Sequence, residues 1–115
     1  MKRYSRQDQT TMAVWAADCA ERVLPLFEAA HPGDGRPHRA IEACRAWVET
    51  GVFRMVDIRG ASLAAHAAAR DAEEGSAARF AARAAGQAVA TAHVPQHAYG
   101  AAYYALKAVA AANPA

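Results

Sequence analysis

The stretch AAGQAVATAHVPQHAYGAAYYAL, residues 84 to 106, contains no Asp, Glu, Lys or Arg. About 20 apolar residues suffice to cross a bilayer, so such a stretch either enters lipid or lies inside protein. Gln87, Thr91, His93, Pro95, Gln96 and His97 interrupt it, and the rest is mostly alanine and glycine, whereas a true span is rich in Leu, Ile and Phe. The expectation is helix buried in protein, with no membrane partner. With its flanks the stretch covers ~36 residues, and one straight helix of that length would measure ~54 Å, too long for a compact domain of 115 residues. Pro95 supplies the break, because it pushes Val94 out of helical geometry. Two helices are therefore expected, at about 77–92 and 96–112. Only Arg79 and Arg83 mark a wet edge on the first, so it should be central and touched from two sides.

Alanine makes up about 30% of the chain and is the best helix former. No alternating β-branched run occurs. The expected fold class is all-α: a compact single-domain bundle of about five alanine-rich helices, residues 12–112, behind a short polar leader, residues 1–11. A chain of this length can bury roughly 65% of its unfolded surface, enough for one core without a disulfide or metal staple. The remaining helices are read at about 9–30, 37–50 and 53–72. In the first, Met12, Trp15, Ala16, Cys19, Val23, Leu26 and Phe27 share a face, and Pro25 should kink it or split off its last turn. In the second, Ala40, Ile41, Cys44, Trp47 and Val48 face inward, with Asp34 as a candidate cap and Gly51 as the stop. His38 with Glu42 and Arg45 with Glu49 are expected surface pairs. Met55, Ile58, Ser62, Ala65, His66 and Ala69 share a face of the third. Ala98, Ala102, Ala105, Leu106 and Val109 point inward from the last. Small side chains should bring the helix axes to the near end of ~8–10 Å.

The net charge is only +2, and eleven of the thirteen basic residues are arginines scattered along the chain. A nucleic-acid binder calls for a basic stripe, and Lys2, Arg3 and Arg6 make only a short one, so no nucleic-acid partner is expected. Two cysteines, Cys19 and Cys44, sit in separate helices and fit buried thiols in a reducing, cytoplasmic compartment. The opening residues MKRYSRQDQTT are followed by no uninterrupted apolar run, which speaks against a signal peptide.

The candidate sites are few. His93 and His97, with His66 and Asp18, form the strongest metal-ligand set, suited to a divalent ion. Their spacing works only if helix continues through Pro95, and no carboxylate stands ready to orient the rings. The competing reading is structural, with His93 ending one helix and His97 beginning the next. A third reading is an interior pocket lined by Trp15, His66, His93 and His97, with Asp18 at its rim, serving a small-molecule ligand or a small enzyme. Asp18 and Arg22 would form an ion pair beside Trp15. Tyr99, Tyr103 and Tyr104 spread around the last helix, so part of that array should be exposed as interface anchors, Tyr99 and Tyr103 foremost. There is no glycine-rich phosphate loop, no paired catalytic carboxylates and no serine elbow. No cofactor and no catalytic residue is assigned.

WAADCAERVLPLFE (15–28), RPHRAIEACRAWV (36–48), AAHAAARDA (64–72) and AAGQAVATAHVPQHAYGAAYYALKAV (84–109), in this order, resemble the immunity-protein-five-like family of bacterial polymorphic toxin systems. The resemblance covers about residues 12 to 110. It implies a small, cytoplasmic, all-helical protein that binds and neutralises a toxin domain, and it carries over no catalytic or toxin-contacting residue. Pro95 stands where alanine or glycine would be more usual. The expected function is therefore an immunity protein with a toxin partner. A small-molecule pocket or enzyme, a metal-binding bundle and a homodimer are the alternatives.

Overall fold

Helices form where the caps and stops allow them. The computed structural model describes residues 3–114, and among them every regular element is an α-helix: α1 (Arg6–Ala30), α2 (Arg36–Thr50), α3 (Met55–Asp71), α4 (Ala77–Ala90) and α5 (His97–Ala112). Lys2 of the basic leader cluster lies outside the described residues. Helix α1 starts earlier than its apolar pattern suggests because Ser5 and Asp8 form a capping box. The Ser5 hydroxyl accepts from the Asp8 amide at 3.0 Å, and the Asp8 carboxylate accepts from the Ser5 amide at 3.2 Å. The helix runs on through Pro25 to Ala30 rather than losing its last turn. Pro25 is exposed, so the amide it lacks is missing on the solvent side. At the start of α2 the Asp34 carboxylate accepts from the Arg36 amide at 3.1 Å. The Arg36 guanidinium grips the same carboxylate and reaches Asp71 at 2.8 Å, tying the start of α2 to the end of α3. Gly51 ends α2 in the left-handed region, at φ 70°, with its amide bonded to the Trp47 carbonyl. Ser76 caps α4 by accepting from the Arg79 amide at 3.1 Å. Residues 91–96 form the turn that Pro95 demands, and α5 starts at His97.

Helix α4 is the axis of the bundle, in contact with α1, α2, α3 and α5. Ala78, Ala81, Ala82, Ala84, Ala85, Gly86, Ala88 and Val89 are buried around it. Opposite them lie Ala13, Ala16, Ala17, Ala20, Val23, Leu24 and Phe27 of α1 and Ala98, Ala101, Ala105 and Ala108 of α5. The 25 residues of α1 span ~37 Å at ~1.5 Å each, close to the longest dimension of 39 Å.

Several large residues read as inward point outward instead. Trp15 is 43% exposed and Leu106 71%, and Met55 and Val109 are also exposed. Helix backbones approach closest where the facing side chains end at Cβ, and α1, α4 and α5 bury mostly alanine with bulkier neighbours at the rim, whereas α2 buries Ile41, Cys44 and Trp47. Arg45 likewise turns from Glu49 to α1, where it binds Asp18 at 3.0 Å and also Glu21. Asp18 is thereby held by Arg45 and not by Arg22. The His38–Glu42 pair forms as expected, at 3.4 Å. Among the described residues no helix is long and apolar enough to cross a membrane.

Candidate functional site

Helices α3 and α5 both pack on α4 but not on each other. The stripe of α4 between them, Arg79, Arg83, Gln87 and Ala90 at helical three- and four-residue spacing, is therefore neither buried nor fully exposed. It forms the floor of an open groove. Ser62 and His66 of α3 and His97, Gly100 and Tyr104 of α5 are half-buried beside it.

Polar bonds stitch the groove. The Ser62 hydroxyl donates to the Gly86 carbonyl at 3.0 Å. The Arg83 guanidinium donates to His66 Nδ1 at 2.8 Å, and His97 Nδ1 donates to Gln87 Oε1 at 2.8 Å. Two glycines make room for these side chains. A Cβ on Gly86 would lie 2.7 Å from His66 Nε2, and one on Gly100 would lie 2.6 Å from Gln87 Oε1. Glycine inside a helix costs about 1 kcal/mol relative to alanine, and here close approach is the compensating gain. Burial pushes the His66 imidazole down to about 4, helped by the positive charges of Arg83 and Arg70 and by His97. His66 is therefore neutral at neutral pH, which suits Nδ1 as the acceptor of an arginine proton. Burial also lowers His97, with His93 adding to it. The Arg83 guanidinium is drawn below its ordinary value by burial, then by Arg79, with Tyr104 opposing and Arg70 adding a smaller push.

The other candidate residues are dispersed. Trp15 lies on the outside of α1 with its ring edge-on to Tyr99, centroids 6.2 Å apart. Asp18 is exposed and bound to Arg45. His93 is exposed and stacks on Phe53 at 6.1 Å. Trp15, His66, His93 and His97 thus line no common interior pocket: Trp15 lies away from the groove, and His93 only borders its Ala90 end. The set His66, His93, His97 and Asp18 is not assembled either: among the described residues no three His, Cys, Asp or Glu side chains are placed to hold a metal ion. The turn at Pro95 takes His93 off the helical repeat that would have aligned it with His97. His93 instead borders a shallow hollow of about 280 Å³ with Met55, Ile58, Leu63 and Ala90.

Tyr99 and Tyr103 are exposed, Tyr103 by 55%. The Tyr99 hydroxyl shares a 2.9 Å hydrogen bond with that of Tyr4. Tyr103 meets Tyr104 edge-on at 5.3 Å, Tyr104 stacks on Phe80 at 6.4 Å, and Lys107 Nζ stands 5.4 Å from the Phe80 ring centre and 5.8 Å from that of Tyr103. Aromatic rings thus run from Trp15 along the outer face of α5 to the groove.

The thiols stand apart from this surface, and both are free. Cys44 is buried, with its sulfur 3.3 Å from the Ala88 carbonyl oxygen as donor, and burial pushes it up to about 12. Cys19 is only half-buried, less than expected, and is raised by burial and by Asp18. Thiol titration of the native chain near pH 8 should therefore label Cys19 well before Cys44, and denatured protein should show both. Equal native rates would contradict the burial of Cys44.

Arg83, Gln87, Gly86 and Gly100 escape a motif search because none belongs to a recognised site. The available signal was glycine inside helices where alanine is the default small residue. A family model described as "Imm-5 like putative immunity protein" matches residues 2–115. No curated protein and no solved structure matches the chain.

Proposed function

The chain belongs to the Imm-5 like immunity protein family, and from that premise we propose that it binds a cognate toxin domain in the bacterial cytoplasm and neutralises it by occlusion. The observation that carries this reading is the family match, which spans nearly the whole chain. The exposed rings of Trp15, Tyr99 and Tyr103 support it. Tyrosine and tryptophan are enriched among the few residues that dominate interfaces, where truncation costs about 2 kcal/mol or more.

Co-expression with a toxin domain, where the gene adjacent to this one encodes such a domain, tests it. The native chain should protect. The combined Trp15→Ala, Tyr99→Ala and Tyr103→Ala variant should weaken toxin binding by at least about 30-fold and keep a melting temperature near that of the native chain. If the native chain neither binds nor protects against that toxin, the immunity reading falls. If the triple variant binds as tightly as the native chain, the contact surface lies elsewhere.

A further inference from the structure

Four arginines in this bundle are half-buried: Arg36, Arg45, Arg79 and Arg83. Two are matched by carboxylates, Arg36 by Asp34 and Asp71, and Arg45 by Asp18 and Glu21. The two on α4 are not. Among the described residues Arg79 and Arg83 form no ion pair, and the one side-chain acceptor of Arg83 is the neutral His66 ring. A guanidinium carries five N–H donors, so most of those on Arg83 have no protein acceptor. A partly desolvated charge without a counter-charge is costly, and this one is further crowded by Arg70 and Arg79. Arg70 stands on α3 and Lys107 on α5, both exposed.

We propose that the groove over α4 receives an acidic segment of the partner protein, with carboxylates bound by Arg79 and Arg83 and a side chain between them resting on Phe80 and Tyr104. That the partner is a protein rests on the immunity reading. That its segment is acidic rests on the groove alone. Four residues along α4 separate the two guanidinium stems by about 6 Å, close to the ~7 Å between alternate residues of an extended chain. An extended segment with Asp or Glu at every second position therefore places one carboxylate on each arginine, and a guanidinium binds a carboxylate in two parallel hydrogen bonds. A nucleic-acid backbone needs cations along its whole path, whereas this floor turns neutral at Gln87 and apolar at Ala90.

The test titrates the isotopically labelled full chain with a peptide of about ten residues alternating Glu and Val, and with its Gln counterpart. The Glu peptide should shift backbone amides of 62–70, 79–90 and 97–107, and the Gln peptide should not. Arg79→Gln with Arg83→Gln should weaken Glu-peptide binding about tenfold, while Arg22→Gln with Arg39→Gln, on exposed positions elsewhere, leaves it unchanged. Rising salt should weaken it further. Shifts centred on α1 and α2, undiminished binding by the Arg79/Arg83 variant, or tighter binding of inorganic phosphate or of a short oligothymidylate would overturn the assignment. The shift map on the unaltered chain decides even if the double variant misfolds. No toxin enters this titration, so protection without peptide binding removes only the groove assignment. Peptide binding without protection removes only the immunity reading.

Discussion

Phe27→Ala is expected to lower the unfolding free energy by about 3–5 kcal/mol, at the upper part of the range for core truncations. Phe27 is fully buried and is the largest of the fully buried side chains. The cost of such a change depends on how far the surroundings relax into the space left behind. Leucine or methionine neighbours turn into a cavity by changing rotamer, but alanine has no rotamer to change. The core that holds Phe27 is mostly alanine, so the cavity shrinks chiefly by moving whole helices, and α1 and α4 are already in contact. Stacking of Phe27 on His31, centroids 5.0 Å apart, is lost as well. Small domains hold only about 5–15 kcal/mol in total, so the variant should melt roughly 10–25 °C lower. Phe27→Leu, which keeps most of the volume, should lose about 1–2 kcal/mol. Urea unfolding of the three proteins checks this. A loss below about 1 kcal/mol for the alanine variant would mean that α1 does not seat Phe27 in the core as described.

The same alanine chemistry decides which features were legible in the sequence. Helix number, type and most boundaries follow from punctuation: HPGDG, Gly51, the acidic loop before Ser76, and Pro95 each stand where the chain turns. Which face of each helix turns inward was harder to read. Hydrophobicity ranks Trp15, Met55, Leu106 and Val109 above alanine, yet α1, α3 and α5 turn mostly alanine inward at their expense, because closer backbone approach gains contact along the whole helix. Transfer free energy is a property of single residues, whereas close packing is a property of two helices at once. At the groove, His66 and His97 stood out as inward polar groups. Their partners Arg83 and Gln87 did not, since an arginine on a wet edge and a glutamine in an apolar stripe look ordinary until a third helix is placed. Gly86 and Gly100 were the available clue, and Gly60 limits its value: a Cβ there would meet nothing within 4 Å.

Acid should destabilise this protein well before its carboxylates titrate. His66 is held down to about 4 in the folded chain against 6.5 for an unperturbed histidine. Burial comes first among the causes, followed by Arg83 on α4, Arg70 on α3 itself and His97 on α5. The unfolded chain takes up a proton near pH 6.5, and the folded chain resists until about 4. Stability therefore falls as pH drops through that window and levels off below it. The full shift would correspond to about 3 kcal/mol, and solvent screening of a half-buried ring reduces this to about 1–3 kcal/mol. His97, lowered by burial and by His93, acts in the same direction. Asp34 has the opposite sign: Arg36 lowers its carboxyl below 3.8, so the stability it contributes is complete above that value and is lost only at lower pH. The two effects thus occupy separate windows. His66→Gln, which offers Arg83 a neutral acceptor without a titrating ring, should reduce the slope of the stability curve between pH 6.5 and 4 to what His97 contributes and leave the carboxylate limb below it in place. Urea midpoints across this range read the loss of stability, and NMR titration of the imidazole reads the protonation of His66 directly. A native His66 titrating near 6.5 would mean that its ring is solvated rather than held against Gly86. Protonation would also turn the Arg83 acceptor into a third positive charge in the groove, so the acid-destabilised side chain and the unmatched arginine are two consequences of one arrangement.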